Sequence, residues 1–97
     1  MSVIIEISIF PMDKGVSVSP YVARVAKIIE GSGLSYALNP MGTCIEGEWP
    51  QVTQVVDQCF KDLQSDCDRI YLTMKADYRK DRSAGLTGKV ESVKSQM

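Results

Sequence analysis

Residues 3–10 alternate without interruption, with Val3, Ile5, Ile7 and Ile9 on one side of an extended chain and Ile4, Glu6, Ser8 and Phe10 on the other. One side is wholly apolar and the other is mixed, so the segment is a strand with a single face in a core. A second alternation covers residues 69–77, where Ile70, Leu72 and Met74 oppose Tyr71, Thr73, Lys75 and Asp77. Between these strands the apolar period twice becomes that of a helix. Val22, Val25, Ala26 and Ile29 recur at steps of three and four after Ser19-Pro20, which offers an N-cap and a proline for the first turn. Gly31 and Gly33 suit a left-handed stop. Val52, Val55, Val56, Cys59, Phe60 and Leu63 form an unbroken i, i+3, i+4 series, with Pro50 in its permitted first turn.

The stretch Asn39-Pro40-Met41-Gly42-Thr43-Cys44-Ile45-Glu46-Gly47-Glu48-Trp49 lies between the two helical patterns. Pro40 and Gly42 punctuate a tight connection, so residues 34–39 and 43–48 read as a hairpin, with Ile45 facing the core and Glu46 and Glu48 on the opposite face. After a charged connection at residues 78–83, Leu86, Val90, Val93 and Met97 mark a last helix with a narrow apolar stripe, suited to docking on another element or subunit. The order βαββαβ plus this helix is the ferredoxin-like α+β arrangement. Right-handed crossovers put both long helices on one face of a four-stranded antiparallel sheet of order 4-1-3-2. A chain of 97 residues makes one such domain, long enough to bury roughly 60–70% of its unfolded surface.

Composition narrows the chemistry. The chain has no histidine, which removes Ser-His-Asp and Cys-His nucleophiles and the commonest transition-metal ligand, so no catalytic or metal-binding set is expected and the chain does not read as an enzyme. Its three cysteines form no C-x-x-C pair and fit reduced thiols in a cytoplasm. Residues 3–7 lack a basic leader and carry Glu6, so a strand is expected there rather than a signal peptide or membrane span. A net charge of −1 gives no overall attraction to nucleic acid or lipid. From Lys75 onward, however, six Lys/Arg face three Asp/Glu, and a basic segment around Arg79, Lys80 and Arg82 either holds an anion such as sulfate or phosphate or is simply solvated.

The helix-free face of the sheet is expected to carry Glu6, Ser8, Glu46, Glu48, Tyr71, Thr73 and Lys75, with Lys75, Glu6 and Glu46 in a row across three strands. Such a row serves either as a site for a cation or amino group, oriented by the hydroxyls, or as a cross-strand salt bridge on a solvated face. Asn39 and the Met41-Gly42-Thr43 turn either bring backbone close to a ligand or serve geometry alone. Ile4, Phe10 and Tyr71 would form an apolar patch on the same face, which a second copy of the chain would cover.

Several stretches together resemble the small thiamine-binding, YkoF-like family. They are 39–43 and 45–49, Asp68-Arg69-Ile70-Tyr71, Lys75-Ala76-Asp77-Tyr78-Arg79-Lys80-Asp81, Leu86, and Lys89-Val90-Glu91-Ser92-Val93, with Pro11 closing the first strand and Ser19-Pro20-Tyr21-Val22 opening the first helix. The resemblance spans nearly the whole chain. It implies a ferredoxin-like subunit that assembles through its sheets into dimers or tetramers and binds thiamine or its hydroxymethylpyrimidine portion without a cofactor and without established catalysis. Thiamine joins a thiazolium cation to an aminopyrimidine. The resemblance therefore makes Glu6, Glu46 and Glu48 its natural partners, with Ser8 and Thr73 orienting the ring and Tyr71 or Trp49 stacking on it.

Overall fold

The computed structural model describes residues 2–97. The elements run β1 (Val3–Pro11), α1 (Ser19–Gly31), β2 (Ser35–Asn39), β3 (Gly42–Gly47), α2 (Trp49–Gln64), β4 (Ile70–Tyr78) and α3 (Gly85–Ser95). The sheet order is β2-β3-β1-β4, the expected order read from the other edge, and the three pairings are antiparallel.

Strand β1 is the spine, and its alternation is realised residue by residue. Val3, Ile5, Ile7 and Ile9 are buried together with Ile45, against Val25 and Ile29 of α1 and Val52, Val55, Val56, Cys59 and Leu63 of α2. Burying each Val, Ile or Leu side chain contributes roughly 1.5–3 kcal/mol, so this one layer carries most of the drive to fold. Burial also pushes the Cys59 thiol up to about 11, which keeps it an uncharged core residue. Arg24 ties the two helices together on their outer side. Its Nε donates to Asp62 and its Nη1 to Asp66, both at 2.9 Å, while the guanidinium lies 5.5 Å above the Tyr21 ring.

Several local expectations shift. Ser19 lies inside α1 rather than capping it; Val18 is the N-cap and its apolar side chain offers no acceptor, while Pro20 in the first turn lacks an N–H and the Tyr21 N–H donates to the Val18 carbonyl at 3.0 Å. The left-handed residue after the helix is Gly33 at φ +78, while Gly31 remains helical. Glu48 is not on the sheet face with Glu46. β3 stops at Gly47, and Glu48 is the N-cap of α2 in a capping box: its side chain accepts from the backbone of Gln51, whose amide oxygen accepts from the Glu48 N–H at 2.9 Å. Two orphan helix donors outcompete continuation of the strand.

Helix α3 packs on the side of the sheet opposite α1 and α2, where its first turn covers Ile4. A Cβ built on Gly85 would lie 2.8 Å from Ile4 Cδ1 and 2.9 Å from Arg82 Nε, so a larger residue there would have to push these side chains aside. Leu86 is half-buried at that contact, and the rest of its apolar stripe, Val90, Val93 and Met97, is exposed.

Candidate ligand cleft and the open sheet face

β3 pairs with β1 only as far as Ile7, which faces Thr43, whereas β4 follows β1 to Pro11. From Ser8 onward β1 therefore runs past the end of the hairpin. The space left there is closed by Val18, Val22 and Val25 at the start of α1 and by residues 38–43 of the hairpin, forming a cleft of about 300 Å³. That is the lower end of the range for small-molecule sites. Ser8, Asn39, Met41, Gly42 and Thr43 are all in its lining, which is otherwise apolar.

Gly42 lets the hairpin approach β1 closely. A Cβ at this position would lie 3.1 Å from the Ile7 carbonyl oxygen and 3.2 Å from Glu6 Cγ, so a side chain there would push one of them back by a few tenths of an ångström. The same close approach puts Glu6 beside Gly42 on the open face; Glu6, Tyr71, Thr73 and Lys75 are themselves outside the cleft lining. Its Oε1 lies 3.1 Å from Lys75 Nζ, and its Oε2 accepts from Cys44 Sγ at 3.9 Å. Burial, reinforced by the Glu6 charge, pushes the Cys44 thiol above its ordinary value, so Cys44 is a neutral neighbour. The row across the three strands is thus Lys75, Glu6 and Cys44 rather than Lys75, Glu6 and Glu46, since Glu6 pairs with Cys44 and it is Ile4 that faces Glu46. Beside it Thr73 stands opposite Ser8, and Tyr71 stacks on Phe10 with ring centroids 5.9 Å apart at 25°. The stack makes an aromatic floor next to the cleft.

Glu46 has a different task. It is only 6% exposed and accepts from Ser2 Oγ at 2.6 Å, Gly85 N at 2.8 Å and Leu86 N at 3.1 Å. Burial pushes its carboxyl up, but the Ser2 hydroxyl, the two backbone N–H groups and the nearby Arg82 charge outweigh it and hold the carboxyl below the usual glutamate range. A carboxylate at the first turn of α3 fastens that helix to the sheet, and its lone pairs are spent on the chain itself. Glu48 is likewise committed to α2. Arg82, expected beside Arg79 as an anion holder, is turned inward: its Nη1 donates to Asp77 Oδ2 at 3.1 Å and its Nη2 to the Asp77 carbonyl at 2.6 Å. Lys89 also grips Asp77, and the two cations, Lys89 first, hold the Asp77 carboxyl below its ordinary value. Arg79 is exposed in the same connection. Trp49 opens α2, half exposed, and is not in the cleft lining.

Sequence reading missed the greasy part of the cleft, Phe10, Val18, Val22, Leu38 and Pro40. Leu38 and Val22 carry a signal only when the hairpin is known to end short of β1. Among the described residues no group of His, Cys, Asp and Glu could hold a metal ion, and no helix is long and apolar enough to cross a membrane.

Comparison with known proteins agrees with this architecture over almost the full chain. A UPF0045 protein of Methanocaldococcus jannaschii is 31% identical over 91 residues, covering 94% of this chain and 91% of the relative. A UPF0045 protein of Synechocystis is 34% identical over 96 residues, covering 98% and 79%. The M. jannaschii crystal structure superposes with a TM-score of 0.89 at 30% identity, covering 96% of both chains. A Thermotoga maritima protein, described as a candidate thiamine biosynthesis/salvage protein, shares the fold with a TM-score of 0.81 at 20% identity, over 94% of this chain and 99% of that one. Residues 5–94 match the family model described as thiamine-binding protein, and the chain belongs to that family.

Proposed function

We propose that the protein binds thiamine, or its hydroxymethylpyrimidine moiety, in the cleft beside Gly42, and that it does so as a binding protein of the cytoplasm rather than as an enzyme. The observation that carries this reading is an apolar cleft of about 300 Å³ bordered by Gly42, with the Glu6 side chain on the other side of that glycine, its Cγ 3.2 Å from where a Gly42 Cβ would stand. The aminopyrimidine ring fits among Leu38, Met41, Val22 and Phe10, with Ser8 and Asn39 available to its nitrogens; the Glu6 carboxylate suits the exocyclic amino group or the thiazolium charge. The name of the T. maritima structure and the family description support the same ligand class.

A second copy over the open face would shield the half-exposed Tyr71 and the Glu6–Lys75 pair, so the working form in this reading is a homodimer or a tetramer. Isothermal titration with thiamine and with hydroxymethylpyrimidine tests the binding, with saturable heat at micromolar to submillimolar ligand expected for at least one. Absence of heat from both at millimolar concentration overturns it. Light scattering tests the assembly, and a monodisperse single chain removes the intersubunit part.

A further inference from the structure

Three acidic residues of the open face are held by different partners. Glu46 is sealed under α3 by Ser2 and two backbone N–H groups, and Asp77 is held by Lys89 and Arg82. Glu6 is held otherwise. On one side it has the neutral, half-buried Cys44, and on the other Lys75, whose side chain is 80% exposed while its Nζ sits 3.1 Å from Glu6 Oε1. Lysine is a strongly hydrated point charge on a four-carbon stem, so it leaves such a pair at little cost.

We infer that Lys75 is a specificity-determining residue: it is the resident cation of the Glu6 site, and a cationic ligand binds there only by displacing it. The inference rests on the cleft being the ligand site and on the ligand reaching past Gly42 to Glu6, which stands beside that lining residue. Its chemistry separates two ligands of nearly the same shape. A cation must exchange with the ammonium, starting from a neutral Glu6–Lys75 pair that exerts no long-range pull. A neutral aminopyrimidine donates a hydrogen bond to Glu6 Oε2 or fills the cleft while the pair stays closed. Lys75 therefore narrows the preference for thiamine over its neutral pyrimidine fragment, in a way that charge reversal or removal exposes.

The test is titration of the full chain and its Lys75→Gln and Lys75→Arg variants with thiamine and with hydroxymethylpyrimidine, at low and near-physiological salt. Between about 0.01 M and about 0.15 M salt the screening length falls from about 30 to about 8 Å, enough to resolve a long-range charge effect. Lys75→Gln is expected to bind thiamine about two- to fivefold more tightly at low salt, the scale of one exposed ion pair, with the gain shrinking as salt rises. Hydroxymethylpyrimidine affinity stays unchanged, and Lys75→Arg restores the weaker thiamine affinity. Thiamine binding that is equal or weaker in Lys75→Gln, or a gain shared by the neutral fragment, overturns the inference while leaving the cleft as a site. If neither ligand binds either protein, the cleft reading fails and the inference falls with it.

Discussion

Glu6 and Glu46 stand on one face of one sheet, on neighbouring strands, yet they belong to two regions with opposite logic. At the Ile4 end the first turn of α3 lies over the sheet, and Glu46 is buried with three donors from the chain itself. At the Ser8 end Glu6, its side chain 39% exposed, has an exposed lysine and a thiol as partners among the described residues. The residue type is the same, and what differs is the element stacked above it. A carboxylate on a strand is structural where a helix N-terminus covers it and available where none does.

The largest effect expected from this contrast is on stability. Glu46→Ala leaves the N–H groups of Gly85 and Leu86 without their acceptor and should cost about 2–3 kcal/mol, the scale of losing a charged hydrogen-bond acceptor in a buried site. Urea unfolding measures it, and limited proteolysis should show α3 released first. The comparison breaks if Glu6→Ala, at an exposed pair worth about 0–1 kcal/mol, destabilises as much.

Acid should act on the same end. With its folded-state value lowered, the Glu46 carboxyl contributes stability that is complete above the ordinary glutamate range and is lost as pH falls through the lowered value; Asp77, also lowered, adds to the same sign. Below about pH 4, hydrogen exchange of the α3 amides should accelerate while the β1 and α2 amides stay protected. Loosening of α3 already near neutral pH would contradict the assignment.

These two regions were unequally legible in the sequence. Strand β1 and helix α2 could be read almost entirely, because an alternation of two and a period of 3.6 are local and each set of apolar residues found one core. The face of Glu46 was readable as well, but its burial was not: Gly85 and Leu86 lie 39 and 40 residues away, and no local pattern announces that a later helix will end on a given strand residue. Glu48 carried its own signal, since Glu48-x-x-Gln51 with Pro50 between is a helix start, and the alternation with Glu46 obscured it. The cleft was half legible. Its turn residues were marked by Pro40 and Gly42, but the apolar walls arise because the pairing of β3 with β1 stops at Thr43 while β1 continues along β4, a length mismatch visible only once the register is known.

Gly42 sharpens the comparison from the cleft side. In Gly42→Ala the new Cβ must push back the Ile7 carbonyl or Glu6 Cγ by a few tenths of an ångström, at a cost of about 1 kcal/mol in stability. Because Ile7 lines the cleft and Glu6 stands beside Gly42, thiamine affinity is expected to drop measurably even where the melting temperature moves little. An unchanged titration together with a lowered melting temperature would mean that Gly42 serves the hairpin alone.

The smallest change expected in stability, and the most discriminating in binding, is Glu6→Gln. The amide keeps the shape and one acceptor oxygen, so the fold should move by no more than about 0.5 kcal/mol, as for surface substitutions generally. Binding loses only the charge. If Glu6 meets the cationic part of the ligand, thiamine should weaken about tenfold, near 1.4 kcal/mol, while hydroxymethylpyrimidine, which can still donate its amino proton to the amide oxygen, should weaken far less. Equal losses for the two ligands would place the carboxylate at the amino group instead, and no loss for either would return Glu6 and Lys75 to a cross-strand pair on a solvated face. Glu46→Gln, by contrast, should change stability and leave both titrations where they were, because Glu46 spends its acceptors on Ser2 and on the first turn of α3.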